Sequence, residues 1–385
     1  MYNIEVILSV KKDELKEFEA IDEFNNNNVL RGFLCRRGDY RYGALIITSV
    51  NDEECLQVIY CTPKLDYPFD RNGKYHFPDV RSFKFYEKMD GTNIFVYHYL
   101  YKENDFITYK TRLTPVLKNQ KFGEFKNMWL EYMNDNPWVK EIIDKNPHFN
   151  LSFELFGSRN PYTIMYDFPL DVNLLFGVRI GDAAIRPPSE LECNVNTKIP
   201  RCFDMVGDDG FIDIIDRYNK HREYMSMKNQ ESLVIEGMVQ YCHVGMPSWK
   251  MFKCKPEEIE RIHWSASGYI PTRSLFNTAL NVFESVDNPT IQDFIELLKE
   301  EYPQELITKS YLKIERNWLE AVERVKFTKL VNEIWIHAKE SGLDVTRDKN
   351  ETMRFMSKHF PKGVMKKVGS AVLKMAGLLN EKRKR

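Results

Sequence analysis

Lys88 is the residue around which chemistry can be built. It stands in Glu87-Lys88-Met89-Asp90-Gly91-Thr92-Asn93, between two aromatic-rich, β-prone runs. A lysine at a strand end, beside a glycine that lets backbone approach a ligand closely, can act as a nucleophile once its amine is neutral. Asp-Gly between two such runs also reads as a hairpin turn, with Lys88 merely leading into it. Charge recurs where strands should be apolar. Glu154 interrupts the run 150–157 and Glu236 the run 233–239, and a buried carboxylate at either place needs a partner. Lys253 and Lys255 are two apart in a third run, 249–256, so a strand would turn both to one face. Two ammonium groups side by side repel, so either an anion such as phosphate lies between them or both are solvated on an edge strand. Lys110 and Arg112 fall on a strand or just past its end, and Phe176 with Gly177 falls in a hydrophobic strand, where a core aromatic is the ordinary reading.

These residues need elements to position them. A chain of 385 residues suggests two or three domains with ample length for a core. Hydrophobic content of 43% with 29% charged residues suits a soluble globular protein, and no apolar run is long enough to span a membrane. The N-terminus lacks a basic region and a cleavage signature and reads as a first strand, Ile4 to Val10. Seven scattered cysteines, with no Cys-x-x-Cys pair, fit reduced thiols in a cytoplasmic protein and argue against a structural zinc site. Net charge is −1, but from Met353 to Arg385 ten cations face one anion, Glu381. That basic tail is either a footprint for a polyanion or a solvated terminus.

In chain order, a helix is expected over Lys12 to Glu23, a loop at Asn25 to Asn28 and a strand over Ala44 to Val50. A cluster of Arg31, Arg36, Arg37 and Arg41 could face phosphates. A turn-rich stretch from Pro63 to Pro78 leads into alternating strands and loops with one helix, Phe122 to Asp144. Beyond Pro256 the sequence is mostly helical: Thr272 to Val286, Thr290 to Glu301, Ser310 to Lys326, Thr328 to Ser341 and Thr352 to His359.

Taken in order, Lys88-x-Asp90-Gly91, Glu154, Phe176, Glu236-Gly237 and Lys253-x-Lys255 resemble the motifs of the covalent nucleotidyltransferase superfamily, the ATP-dependent polynucleotide ligases and mRNA capping enzymes. The details Glu87-Lys88-x-x-Gly91-Thr92-Asn93, Arg112-x-x-Pro115-x-Leu117 and Phe252-Lys253-Cys254-Lys255 are similar to phage nick-sealing and RNA-editing RNA ligases. The resemblance implies that Lys88 attacks the α-phosphate of ATP to form a lysyl-adenylate, with nearby cations and Mg2+ (or Mn2+) favouring its neutral amine. It implies that Glu87 and Phe176 lie against adenine and that Glu154 reaches the ribose. Asp90 and Gly91 belong to the same ATP-binding motif, and Thr92, Asn93 and Arg112 line the phosphate pocket. Glu236 binds the metal, and Lys253 and Lys255 neutralise the α-phosphate. Arg41 and Lys64 match the Arg and Lys that end-joining RNA ligases carry ahead of the nucleophile.

The fold implied is α+β, a nucleotidyltransferase domain of antiparallel sheets flanked by helices (81–266), after a small N-terminal α/β module (1–80) and before an all-helical C-terminal domain (267–385). DNA ligases and capping guanylyltransferases carry a β-barrel where this sequence turns helical, so the closer likeness is to RNA ligases. The substrate implied is RNA with 5′-phosphate and 3′-hydroxyl ends, as in RNA repair. The alternatives are a DNA ligase, a capping guanylyltransferase, or a non-catalytic RNA-binding protein of the same fold. On this reading the helical domain holds RNA, and adenylation needs only residues between Lys88 and Lys255.

Overall fold

Leu15–Asp22 contains good helix formers, yet it pairs along its whole length with Asn28–Cys35. Its Phe18, Ala20 and Asp22 turn inward while Glu19 and Ile21 stay exposed, so tertiary pairing overrides helical propensity. The computed structural model describes residues 4–70, 73–119, 124–160, 164, 166–206, 213–229, 235–245, 248–256, 270, 272–299, 302 and 304–380. The opening segment is a short helix, α1 (Ile4–Leu8), rather than the expected strand. The expected helix over 12–23 is a 3-10 turn, Lys12–Glu14, running into β1 (Leu15–Asp22).

β1, β2 (Asn28–Cys35), β3 (Leu45–Val50) and β4 (Glu53–Ile59) form an antiparallel meander in sequence order. Left-handed Asn26 and Asn27 close the first hairpin, and Asn51 and Asp52 the third. Asn and Asp tolerate this backbone better than most residues. β5 (Phe83–Glu87), β6 (Thr92–Tyr101) and β7 (Asn104–Lys110) follow. Next come α2 (Phe125–Asp135) and α3 (Trp138–Lys145), where one helix from Phe122 was expected. Pro137 lacks the N–H to continue α2, and Phe122 itself lies outside the described residues. The remaining strands are β8 (Phe149–Phe156), β9 (Asp171–Arg179), β10 (Ile185–Arg186), β11 (Cys202–Val206), β12 (Met238–His243) and β13 (Trp249–Cys254). A further helix, α4 (Ile214–Asn229), lies among them unforeseen; it is polar, with Tyr218 and Met225 as its buried residues, so its periodicity is faint.

Two more antiparallel sheets result, ordered β10-β9-β8-β6-β7 and β11-β5-β12-β13. α2 and α3 cover the first, with Trp129, Val139 and Ile142 against Ile94, Phe153 and Leu174. α4 covers the second through Tyr218 and Met225. Leu30, Leu45, Ile47 and Ile59 share one core with Tyr97, Phe176, Tyr241 and Met251, so residues on both sides of position 80 pack as one body.

Two buried polar side chains join the N-terminal meander to the central sheet. Asp22 accepts hydrogen bonds from the hydroxyls of Tyr99 (2.9 Å) and Thr108 (2.8 Å). Lys110 donates to the carbonyls of Gly43 (3.0 Å) and Arg112 (2.9 Å), and burial pulls its ammonium pKa down.

After position 270 the described segments are helical: α5 (Thr272–Ser285), α6 (Ile291–Lys299), α7 (Gln304–Lys309), α8 (Tyr311–Glu340), α9 (Lys349–His359) and α10 (Met365–Asn380). α8 is continuous where two helices were expected. Its first half packs with α5 and α6 through Trp318 and Val325, and its second half with α9 and α10 through Ile334 and Ala338. No described helix is long and apolar enough to cross a membrane, and all seven cysteines are free thiols.

Replacing Lys110 by Ala would leave two carbonyls without their donor and open a cavity. It should lower unfolding free energy by about 3 kcal/mol in urea denaturation, and a change below the error of the fit would remove Lys110 as an anchor.

Candidate active site

A cavity of about 430 Å³ opens between the sheet ordered β10-β9-β8-β6-β7 and the sheet ordered β11-β5-β12-β13, within the range that small-molecule ligands occupy. β5 and β6 belong to different sheets, so residues 88–91 cross from one sheet to the other and form no hairpin. Backbone contacts fix that crossing. Lys88 N–H donates to the Gly237 carbonyl (2.9 Å) and Gly91 N–H to Glu154 Oε1 (3.1 Å). Asp90 N–H meets the Tyr166 hydroxyl (3.2 Å), and Asp90 Oδ2 accepts from Ile164 N–H (2.6 Å). A Cβ on Gly91 would lie 2.3 Å from the Leu155 carbonyl oxygen, so the crossing needs glycine for closeness rather than for a turn.

Strand register then brings three charges together. Met238 of β12 pairs with Glu87 on one side and Cys254 on the other. Lys88, Glu236 and Lys255 therefore emerge at the same end of three adjacent strands. Glu236 lies just ahead of β12 rather than within it. Its Oε2 is 3.1 Å from Lys88 Nζ, and its Oε1 accepts a short hydrogen bond from Lys255. Burial alone would raise the Glu236 pKa, but the two ammonium groups outweigh it and hold the carboxyl down at about 2. For Lys88, burial acts downward and is outweighed by Glu236, Glu154 and Asp90, so its pKa is raised. The surrounding carboxylates thus favour the charged amine, whereas neighbouring cations and bound Mg2+ were expected to favour the neutral one.

Lys253 lies on β13 itself, two residues ahead of Lys255. It stands 4.5 Å from the Tyr67 ring centroid, and its N–H donates to the Asp66 carbonyl (2.9 Å), so the outer side of β13 is covered there rather than open. Both lysines line the cavity, together with Glu87, Asp90, Gly91, Asn93, Glu154 and Phe176. Asn93 is opposite Glu154 in the β6–β8 pairing and donates to Ser152 Oγ (2.8 Å). Burial pushes the Glu154 carboxyl up to about 7, Asp90 adding to the effect and Lys88 and Arg112 opposing it. Burial likewise raises Glu87 and Asp90. Arg112 and Lys64 line the cavity beside Tyr42, each 5.8 Å from its ring centroid. The buried Nε of Arg112 has no hydrogen-bond partner among the described residues.

Two residues fall elsewhere. Arg41 lies outside the cavity wall, its guanidinium bonded to Asp39 and to the carbonyls of Leu8 (2.7 Å) and Ser9 (2.8 Å); it ties α1 to the meander. Thr92 is fully buried behind the wall, accepting from Asn160 Nδ2 (2.9 Å) and donating to Glu284 Oε1 (2.9 Å).

Glu284 comes from α5, in the region expected to act on RNA alone. Ser274, Asn277, Thr278, Asn281 and Glu284 all line the cavity. In the sequence they form the polar stripe of an amphipathic helix and read as solvated. The available signal was weak: an acidic residue in a last helical turn opposes the helix dipole. Among the described residues no cluster of three or more His, Cys, Asp or Glu side chains could hold a metal ion. Of the basic tail, Arg354, Lys358, Lys362, Lys366 and Lys367 are exposed on or between α9 and α10, and 382–385 lie outside the described residues.

In overall path the chain is similar to two forms of an archaeal ATP-dependent RNA ligase. One has 16% identity and a TM-score of 0.44 over 89% of this chain and 84% of that one. The other has 13% and 0.45 over 82% and 76%. A provisionally assigned ATP-dependent DNA ligase from Aquifex aeolicus gives 14% and 0.43 over 83% and 78%. No family model and no curated protein matches the sequence.

The Glu154 shift sets a pH dependence. Its carboxyl holds a proton in the folded state up to about pH 7, whereas the unfolded chain releases it near 4.5. Stability from this group is therefore full below pH 4.5 and falls by about 3 kcal/mol as pH rises through 7. Glu154→Gln should remove this part of the slope and be the more stable protein at pH 8, as read from urea unfolding at pH 5 and 8. Parallel slopes for mutant and wild type would refute the assignment.

Proposed function

We propose that this protein is an ATP-dependent polynucleotide ligase, of the kind that joins RNA ends, working through an adenylate on Lys88. The observation that carries this reading is the Lys88–Glu236–Lys255 cluster opening into one cavity with Lys253, Arg112, Glu154 and Phe176. A nucleophilic amine, cations for phosphate, an aromatic ring for a base and a buried carboxyl for sugar hydroxyls are the parts that nucleotidyl transfer needs.

In the first step the Lys88 ion pair to Glu236 opens and the ammonium gives up one proton to solvent, a second leaving the nitrogen as the P–N bond forms. Its lone pair attacks the α-phosphorus; a P–N bond forms, and the P–O bond breaks with its electron pair leaving on pyrophosphate. Lys253 and Lys255 offset charge at the α-phosphate as it passes through the transition state. Glu236 is the carboxylate that would hold a divalent cation, Mg2+ or Mn2+, carried by the nucleotide, and that cation would supply further neutralisation of the phosphates. AMP then passes from Lys88 to a polynucleotide 5′-phosphate, and a 3′-hydroxyl displaces it to form the phosphodiester. Helices in place of a β-barrel after position 270 favour RNA over DNA, and the exposed cations of α9 and α10 offer phosphate contacts.

Incubation with labelled ATP or GTP, followed by denaturation, tests the first step. Label from ATP is expected on the wild type and none on Lys88→Ala or on Lys88→Arg, whose guanidinium stays protonated. Glu236→Ala, Lys253→Ala and Lys255→Ala should each slow labelling about 100-fold. Near wild-type labelling of Lys88→Ala would sink the nucleophile, and transfer from GTP alone would point to a guanylyltransferase. Sealing of nicked RNA, single-stranded RNA and nicked DNA side by side decides the polynucleotide; exclusive DNA sealing would overturn the RNA assignment.

A further inference from the structure

Helix α5 follows the nucleotidyl sheets in sequence, yet it supplies one side of the cavity. Ser274, Asn277, Thr278, Asn281 and Glu284 recur at intervals of three and four and so share one helical stripe, which faces the cavity. Leu275, Ala279, Val282 and Phe283, on the other stripe, are buried in the core that α5 shares with α6 and α8.

The end of α5 is clamped to the strands that carry the active site. Glu284 Oε1 accepts from the Thr92 hydroxyl (2.9 Å), and its backbone carbonyl from the Thr111 hydroxyl (3.2 Å). Because Asn160 Nδ2 already donates to the Thr92 oxygen, the Thr92 proton is directed to Glu284. Thr92 opens β6, immediately after the Lys88–Gly91 crossing, and Thr111 immediately precedes Arg112. An ion pair between Lys118 and Asp287 fastens the turn beyond the helix.

We propose that α5 is a wall of the ATP site, held there by Glu284, and that the helical region therefore takes part in nucleotide capture as well as in handling the polynucleotide. The proposal rests on the nucleotidyl-transfer reading above. Glu284 is a positioning residue in it: an acceptor that keeps the polar stripe against the cavity, where Ser274, Thr278 and Asn281 offer hydrogen bonds to the nucleotide. Burial raises the Glu284 pKa, with Glu154 and Asp90 adding and Thr92 and Arg112 opposing, so a neutral acceptor suits the place. Glutamine can keep the bond from Thr92; alanine cannot.

The test is self-adenylation of the full chain across ATP concentration. Losing one buried hydrogen bond that orders a binding wall should raise the half-saturating ATP concentration of Glu284→Ala about 10-fold, with a limiting rate within about threefold of wild type. Glu284→Gln should recover most of that loss. A purely structural Glu284 would lower the melting temperature of the alanine variant and leave its half-saturation unmoved, which would overturn the proposal. Thr278→Phe, with a ring added on the same stripe, provides a second reading should Glu284→Ala fail to fold; a shift of about 10-fold is expected, and none would count equally against the wall. Absence of label on the wild type would overturn the ligase reading and this proposal with it. Label on the wild type with unshifted half-saturation in the variants would overturn this proposal alone.

Discussion

A carboxylate that is 4% exposed stays ionised at the centre of this protein because two ammonium groups lie on it. Glu236 without Lys88 or Lys255 would be a buried, uncompensated charge, a situation that costs several kcal/mol. Much of the surrounding architecture can be read as the means of assembling that trio. β12 pairs with β5 on one side and β13 on the other, and a single register places Lys88, Glu236 and Lys255 at one edge. A slip of one residue in either pairing would turn these side chains to opposite faces.

The second sheet brings a different electrostatic environment to the same cavity. Glu154 projects from β8, where burial dominates and its carboxyl rises to about 7, whereas Glu236 falls to about 2 a short distance away. Both begin as ordinary carboxyls in strand-rich sequence, and what separates them is the number of cations each one touches. Gly91 allows the two sheets to meet closely enough for this contrast, since any side chain there would strike the Leu155 carbonyl.

The flanking regions act as braces with polar teeth. Asp22 and Lys110 are buried groups whose hydrogen bonds run between the N-terminal meander and the central sheet, and Lys110 holds the carbonyl of Arg112 itself. On the far side, Arg159 and Asn332 exchange hydrogen bonds (2.8 and 3.2 Å) between the loop after β8 and α8, and Glu284 joins α5 to β6. Groups of this kind lose stabilisation unless each partner is present, so they specify one mutual arrangement of sheets and helices.

The sequence by itself determined the α+β class, the helical character of the last third, the strands around Glu154, Phe176 and Lys253, and several of the residues that line one cavity. Those are short-range signals: β-branched and aromatic runs, helical periodicity, and charges set within apolar segments. Tertiary structure decided what local pattern leaves open. Leu15–Asp22 became a strand because a neighbour was available to pair with it, and Asp90-Gly91 became a crossing because its two strands joined different sheets. Arg41 left the candidate site because Asp39 and two carbonyls satisfied it first. Glu284 entered the site from almost 200 positions beyond Thr92. Proximity of that kind is set by packing of whole elements, and no spacing in the chain encodes it.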